Sequence, residues 1–89
     1  MEQKSVQVSH EWQSLNLLTG ADVGKQIDVQ VIHGRDVRLA TGDNKPGDEV
    51  HGFSFEAGEF FRAETDAKEA WIRSAVYSEV ALCECQFDV

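Results

Sequence analysis

The sequence predicts an all-β fold, a small antiparallel β-sandwich or partly open barrel of about seven to eight short strands. Three observations lead there. Apolar residues recur with period two in short runs, the signature of half-buried strands. Glycine-bearing breaks separate these runs at about 8–12 residues, the spacing of sandwiches and small barrels. No segment sustains the 3.6-residue period of a stable helix. The 89 residues leave room for one small β domain, 1–89, with residues 1–10 open to reading as an extended N-terminal arm. Surface scaling gives such a chain a folded area of about 5,200 Å² against roughly 14,000 Å² unfolded, enough for a thin core without staples.

The elements follow in order. Ser5–Ser9 alternates, with Val6 and Val8 on one face. Trp12–Thr19 reads as a second extended segment, with Leu15 and Leu17 on one face and Leu18 opposite; the turn-rich stretch 20–25 closes it. Gln26–His33 is the clearest strand, setting Ile27, Val29 and Val31 against Gln26, Asp28 and Gln30. Gly34-Arg35 fits the centre of a type II′ turn, where glycine supplies a positive φ, so Gln26–Thr41 reads as a hairpin returning through Val37 and Leu39.

Residues 42–52 form the longest break, with Pro46-Gly47 suited to the centre of a type II turn. Phe53 and Phe55 alternate with Ser54 and Glu56, and Ala57-Gly58 turns the chain into a strand over 59–64. Residues 65–69 are polar and long enough for a single helical turn only. Ala70–Ala75 is a further strand. The last, Val80–Val89, lines up Ala81, Cys83, Cys85, Phe87 and Val89 on one face.

Charge and composition remove several functions. Eight Lys and Arg against 16 Asp and Glu give a net charge of −8, and the cations are dispersed among acids. A grip on phosphate backbones needs clustered cations, so no direct nucleic-acid binding is expected. No apolar run approaches the roughly 20 residues of a spanning helix, and residues 1–6 lack the pattern of a signal peptide. Cys83 and Cys85 sit two apart on one strand face, at the limit of disulfide geometry, and read as reduced, buried small hydrophobes of a protein made in the cytoplasm.

The chemistry-bearing patterns are equally thin. Cys-x-Cys with scattered His10, His33 and His51 matches no structural zinc spacing, and residues 43–48 lack the twelve-residue calcium loop. There is no nucleophile elbow and no phosphate-cradling glycine loop. The expectation is no catalysis, no metal and no cofactor. Trp12 and Trp71 suit either packing or a platform for a sugar ring, and Trp71 shares a strand face with Arg73, a pairing enriched in interface hot spots. Adjacent apolar residues at Leu17/Leu18, Val31/Ile32 and Phe60/Phe61 fit strands with two apolar faces, one for the core and one for a partner, or local bulges that turn both neighbours inward. The interface candidates are therefore Trp12, Leu18, Ile32, Phe60, Trp71 and Arg73.

A second set of residues points the same way. Pro46-Gly47 is followed by Gly52-Phe53-x-Phe55-x-x-Gly58-Glu59-x-Phe61, then by Glu69-Ala70-Trp71-Ile72-Arg73-Ser74 and Val80-Ala81-Leu82-Cys83-Glu84. With these segments the chain resembles small β-rich structural proteins of tailed bacteriophages, of the capsid-decorating or head-fibre kind, over residues 46–84. Their pattern is a glycine-led hairpin, a strand with Trp-x-Arg-Ser, and a closing strand of alternating small apolar residues. The Cys83-Glu84-Cys85 ending departs from that pattern, and Trp12–Thr19 has no counterpart in it. The resemblance implies a non-enzymatic virion component, assembled with other virion proteins and synthesised in the host cytoplasm; the need of a small sheet to cover its edges and second apolar faces adds the expectation of a homo-oligomer. Two other readings stand beside it: a carbohydrate-binding module using exposed Trp, and an acidic, DNA-mimicking inhibitor of a host protein.

Overall fold

The computed structural model describes residues 2–34, 36–63, 68–77 and 79–87. Eight strands run in chain order: β1 (Glu2–Val8), β2 (Gln13–Ser14), β3 (Ile27–His33), β4 (Val37–Gly42), β5 (Phe53–Phe55), β6 (Phe60–Ala63), β7 (Glu69–Ser74) and β8 (Ala81–Phe87), with one short helix, α1 (Leu15–Thr19). They form two four-stranded antiparallel sheets, in order β1-β8-β3-β6 and β2-β7-β4-β5. The fold is a small all-β sandwich, and this pair of strand orders is that of a jelly roll, an architecture of two interleaved Greek keys. The accessible surface is 5244 Å², the area expected of a well-packed chain of this size.

Alternation builds the core. The first sheet turns Val6, Val8, Ile27, Val29, Val31, Phe61, Ala81, Cys83, Cys85 and Phe87 inward; the second answers with Val37, Leu39, Ala70 and Ile72. Leu15 plugs the sandwich from α1. At about 25 cal/mol per Å² of apolar surface removed from water, this two-sided burial is the dominant stabilising term. Phe55 stacks on Phe61, with centroids 4.0 Å apart, and clamps the β5 edge to the β6 edge.

Three expectations need correction. β3 and β4 do not form a hairpin: β3 pairs with β8 and β6, and β4 with β7 and β5. Val31 and Val37 belong to opposite layers of one core, so the chain crosses between sheets rather than doubling back. Gly34 makes that corner possible. Its φ is +99°, and a Cβ there would lie 3.0 Å from the Ala81 Cα. The type II′ geometry itself involves Arg35, which lies outside the described residues.

Trp12–Thr19 is not one extended segment. It is the two-residue β2 followed by α1. The Ser14 hydroxyl accepts the Leu17 N–H at the helix start, and Gly20, at φ 88°, ends it by donating its N–H to the Asn16 carbonyl. A five-residue helix does not stand alone. Asn16 anchors it: the buried amide donates to the Ala21 and Asp22 carbonyls and accepts the Ala70 N–H from β7. Pro46-Gly47 is not the centre of a type II turn, because Gly47 is absent from the glycines with positive φ. The turn lies two residues later, centred on Asp48-Glu49, where the Gly47 carbonyl accepts the Val50 N–H at 3.1 Å.

The remaining expectations divide. Glu56–Glu59 turns with Gly58 at φ +89°, and the Glu59 N–H reaches the Glu56 carbonyl. Glu2–Val8 is fully paired with β8, so most of the segment open to reading as an arm is an integral strand. Of the polar stretch 65–69, residues 65–67 lie outside the described residues, and Glu69 opens β7.

Candidate functional site

The four connections β1–β2, β3–β4, β5–β6 and β7–β8, with the end of β3, supply the residues that line three open depressions of this sandwich. One, of about 430 Å³, is lined by Gly34, Asp36, Glu56, Ala57, Ala75 and Val76. A second, of about 460 Å³, lies between Ile32, His33, Gly34, Glu79 and Val80. A third, of about 370 Å³, lies between Ser9, His10, Glu11 and Tyr77. Tyr77 is 84% exposed and meets the His10 ring edge-on at 5.1 Å, while His10 Nδ1 lies 3.1 Å from the Ser74 carbonyl. Two polar contacts pin the base of this corner: Ser74 N–H donates to the Ser9 carbonyl, and Ala75 N–H to that of Asp36.

The six candidate residues divide sharply. Ile32 and Phe60 are 51% and 63% exposed on the outer face of the first sheet. Phe60 is paired with Gln30, two residues before Ile32 on β3, which makes the two side chains diagonal neighbours. Val80 is likewise exposed, shares a depression with Ile32, and leads into the half-buried Leu82. Together they form an apolar corner on an otherwise polar face, whose centre carries Ser5, Glu84, Gln30 and Asp28; Ser5 donates to Glu84 at 2.6 Å, and Arg62 pairs with Asp28 at 3.0 Å.

Trp12 and Arg73 are placed differently. They are 2% and 4% exposed and occupied with each other. The Arg73 guanidinium lies over the Trp12 ring at 4.5 Å, a cation–π contact worth roughly 2 kcal/mol when desolvated. Trp12 Nε1–H donates to the Gly47 carbonyl, and Arg73 Nη2 donates to those of Asp48 and Val50. The pair thus holds the 43–52 loop over the second sheet and offers neither a sugar platform nor an interface hot spot. Trp71 is half-buried and donates its indole N–H to Gly42. Leu18 packs partly against the core from α1.

Sequence reasoning missed Tyr77, which lies between strands where periodicity says nothing, and read Val80 as the start of the last strand, whereas β8 begins at Ala81 and leaves Val80 exposed ahead of it. It also missed the alignment of Arg38 with Arg73, which depends on the β4–β7 register. Cys83 and Cys85 are free thiols, wholly buried on the inner face of β8. Burial pushes Cys83 up to about 11. It pushes Cys85 up to about 12, with the neighbouring Cys83 and Glu84 adding to the effect. Both are neutral packing groups at physiological pH. Among the described residues, no three His, Cys, Asp or Glu side chains come together to hold a metal ion. No family model, curated protein or solved structure matches the chain.

Proposed function

We propose that this protein is a non-enzymatic structural component of a bacteriophage particle, a capsid decoration or other accessory protein that works through protein–protein contacts and as a homo-oligomer. The observation that carries the reading is the apolar corner of Ile32, Phe60 and Val80, exposed on the outside of a sandwich whose interior is filled by its own side chains. Contiguous exposed apolar surface on a small soluble domain marks a contact site. The jelly-roll strand order supports the assignment, since the architecture recurs in capsid domains, though it also recurs in lectins and cupins. The resemblance of residues 46–84 to phage structural proteins selects among these.

The test joins two measurements. Sedimentation of the purified protein is expected to give an assembly larger than the monomer, and proteomics of purified particles to recover the chain. Ile32→Ser with Phe60→Ser, both on the exposed face, is expected to yield a folded monomer. A wild-type protein that sediments strictly as a monomer and is missing from particles would overturn the proposal.

A further inference from the structure

The outer face of the second sheet sets two arginines of this acidic chain side by side. The β4–β7 register places Arg38 opposite Arg73, and the β4–β5 register places Ser54 opposite Arg38. Their strand neighbours Val37, Leu39, Ile72 and Ser74 are buried, which fixes the row on the outer face. His51 joins it, with Nε2 at 3.3 Å from the Ser54 hydroxyl.

Neither cation is neutralised. Among the described residues, Arg38 and Arg73 form no ion pair, and the Nε of each is buried without an acceptor. The adjacent loop contains Asp48 and Glu49, yet Asp48 presents its carbonyl to Arg73 and the Glu49 carboxylate lies against Gly47. Like charges directly across a ladder are destabilising, and an orphaned buried donor costs more than an ordinary hydrogen bond returns. Arg73, Arg38 and Ser54 stand in one row across three strands. Arg73 gives its face to Trp12 and Nη2 to the Asp48 and Val50 carbonyls, so its Nε–H, the Arg38 guanidinium and the Ser54 hydroxyl are the donors that remain. With two formal positive charges, the row suits a multiply charged oxyanion better than a single planar carboxylate.

We propose that the row Arg73–Arg38–Ser54, with His51 at its rim, binds an oxyanion of the phosphate class, free or carried as a phosphoryl group. Such a group carries roughly −1.5 to −2 charges near neutral pH and three acceptor oxygens, which matches the two guanidinium groups and the hydroxyl. Entry is from the β5 side, where Ser54 and His51 are exposed.

The experiment is a titration of the full ¹⁵N-labelled chain with inorganic phosphate at constant ionic strength, following the Nε–H signals of Arg38 and Arg73 and the amides of His51 and Ser54. A parallel titration with O-phosphoserine tells the two sources apart, the tighter binder identifying the source. Saturable movement of these signals is expected. Removing one charge-assisted partner in Arg38→Gln is expected to weaken it by roughly tenfold or more. Arg62→Gln, on the other sheet, should leave it unchanged. Ser54→Ala, at an exposed position, is expected to weaken saturation about threefold, the loss of one modest hydrogen bond, and it serves should Arg38→Gln not fold. Drift no larger than chloride produces, or undiminished saturation in Arg38→Gln or Ser54→Ala, would overturn the proposal.

Discussion

Raising the pH should destabilise this fold through its two buried thiols, by an amount the structure allows one to work out. Cys83 and Cys85 are fully enclosed, and burial holds them neutral until about pH 11 and about pH 12, against an ordinary value of 9.0. Above pH 9 the unfolded chain releases both protons while the native protein keeps them. The unfolded state then binds fewer protons, so stability falls as pH rises from about 9 towards 12. One pH unit above the unfolded value, each thiol has withdrawn about 1.4 kcal/mol, and the pair about 3 kcal/mol, between pH 8 and pH 10. A chain of this length has roughly 4–13 kcal/mol in total, so the loss is large. Urea unfolding at the two pH values, with reductant present and tryptophan fluorescence as the signal, measures it. Cys83→Ala with Cys85→Ala removes both titrations while sharing every other ionisable group. The wild type should lose about 3 kcal/mol more than the double variant on going from pH 8 to pH 10. Equal losses in the two proteins would refute the burial argument.

Other outcomes follow from single contacts. Trp12→Ala should cost about 3–5 kcal/mol in urea unfolding, through its cavity and the freed Arg73 guanidinium. Gly52→Ala should cost at least about 2 kcal/mol, since it combines positive φ with a clash: φ is +74° and a Cβ would fall 2.7 Å from the Leu39 carbonyl oxygen. Gly58→Ala, with a similar φ but open space, should cost only about 1 kcal/mol by the same assay. Ser14→Ala should cost about 1 kcal/mol through the lost α1 cap, read from the urea midpoint.

The sequence made the two-faced strands legible and left the way they pair obscure. Period-two alternation located β3, β4, β7 and β8, because which residues face inward is a local property. Pairing is not local. Gly34 signals a reversal, and only the demand that Val31 and Val37 face each other across one core decides that the chain changes sheets there. The helix was hidden for a related reason. Leu15, Leu17 and Leu18 satisfy a strand pattern, and the caps Ser14 and Gly20 outweigh it only because Asn16 finds three partners in the folded chain. At the candidate site, Ile32 and Phe60 were legible as the second apolar face of their strands. Trp12 was not, since its partner Arg73 is 61 residues away and only the folded chain brings the two together.

The pairing of β1 with β8 has a consequence for how the protein comes into being. Of the strand pairings described, only that of β4 with β5 joins consecutive strands. As residues leave the ribosome in order, the first strand therefore waits for residues 81–87 before any ladder can form on it. Topologies dominated by such distant pairings fold in milliseconds to seconds rather than microseconds, and they leave unpaired strands open to neighbours meanwhile. β1 carries its own protection over that interval. Its leading half is polar, and Lys4, on the side of the strand that turns toward the core, puts a charge where a stray strand would have to bury it.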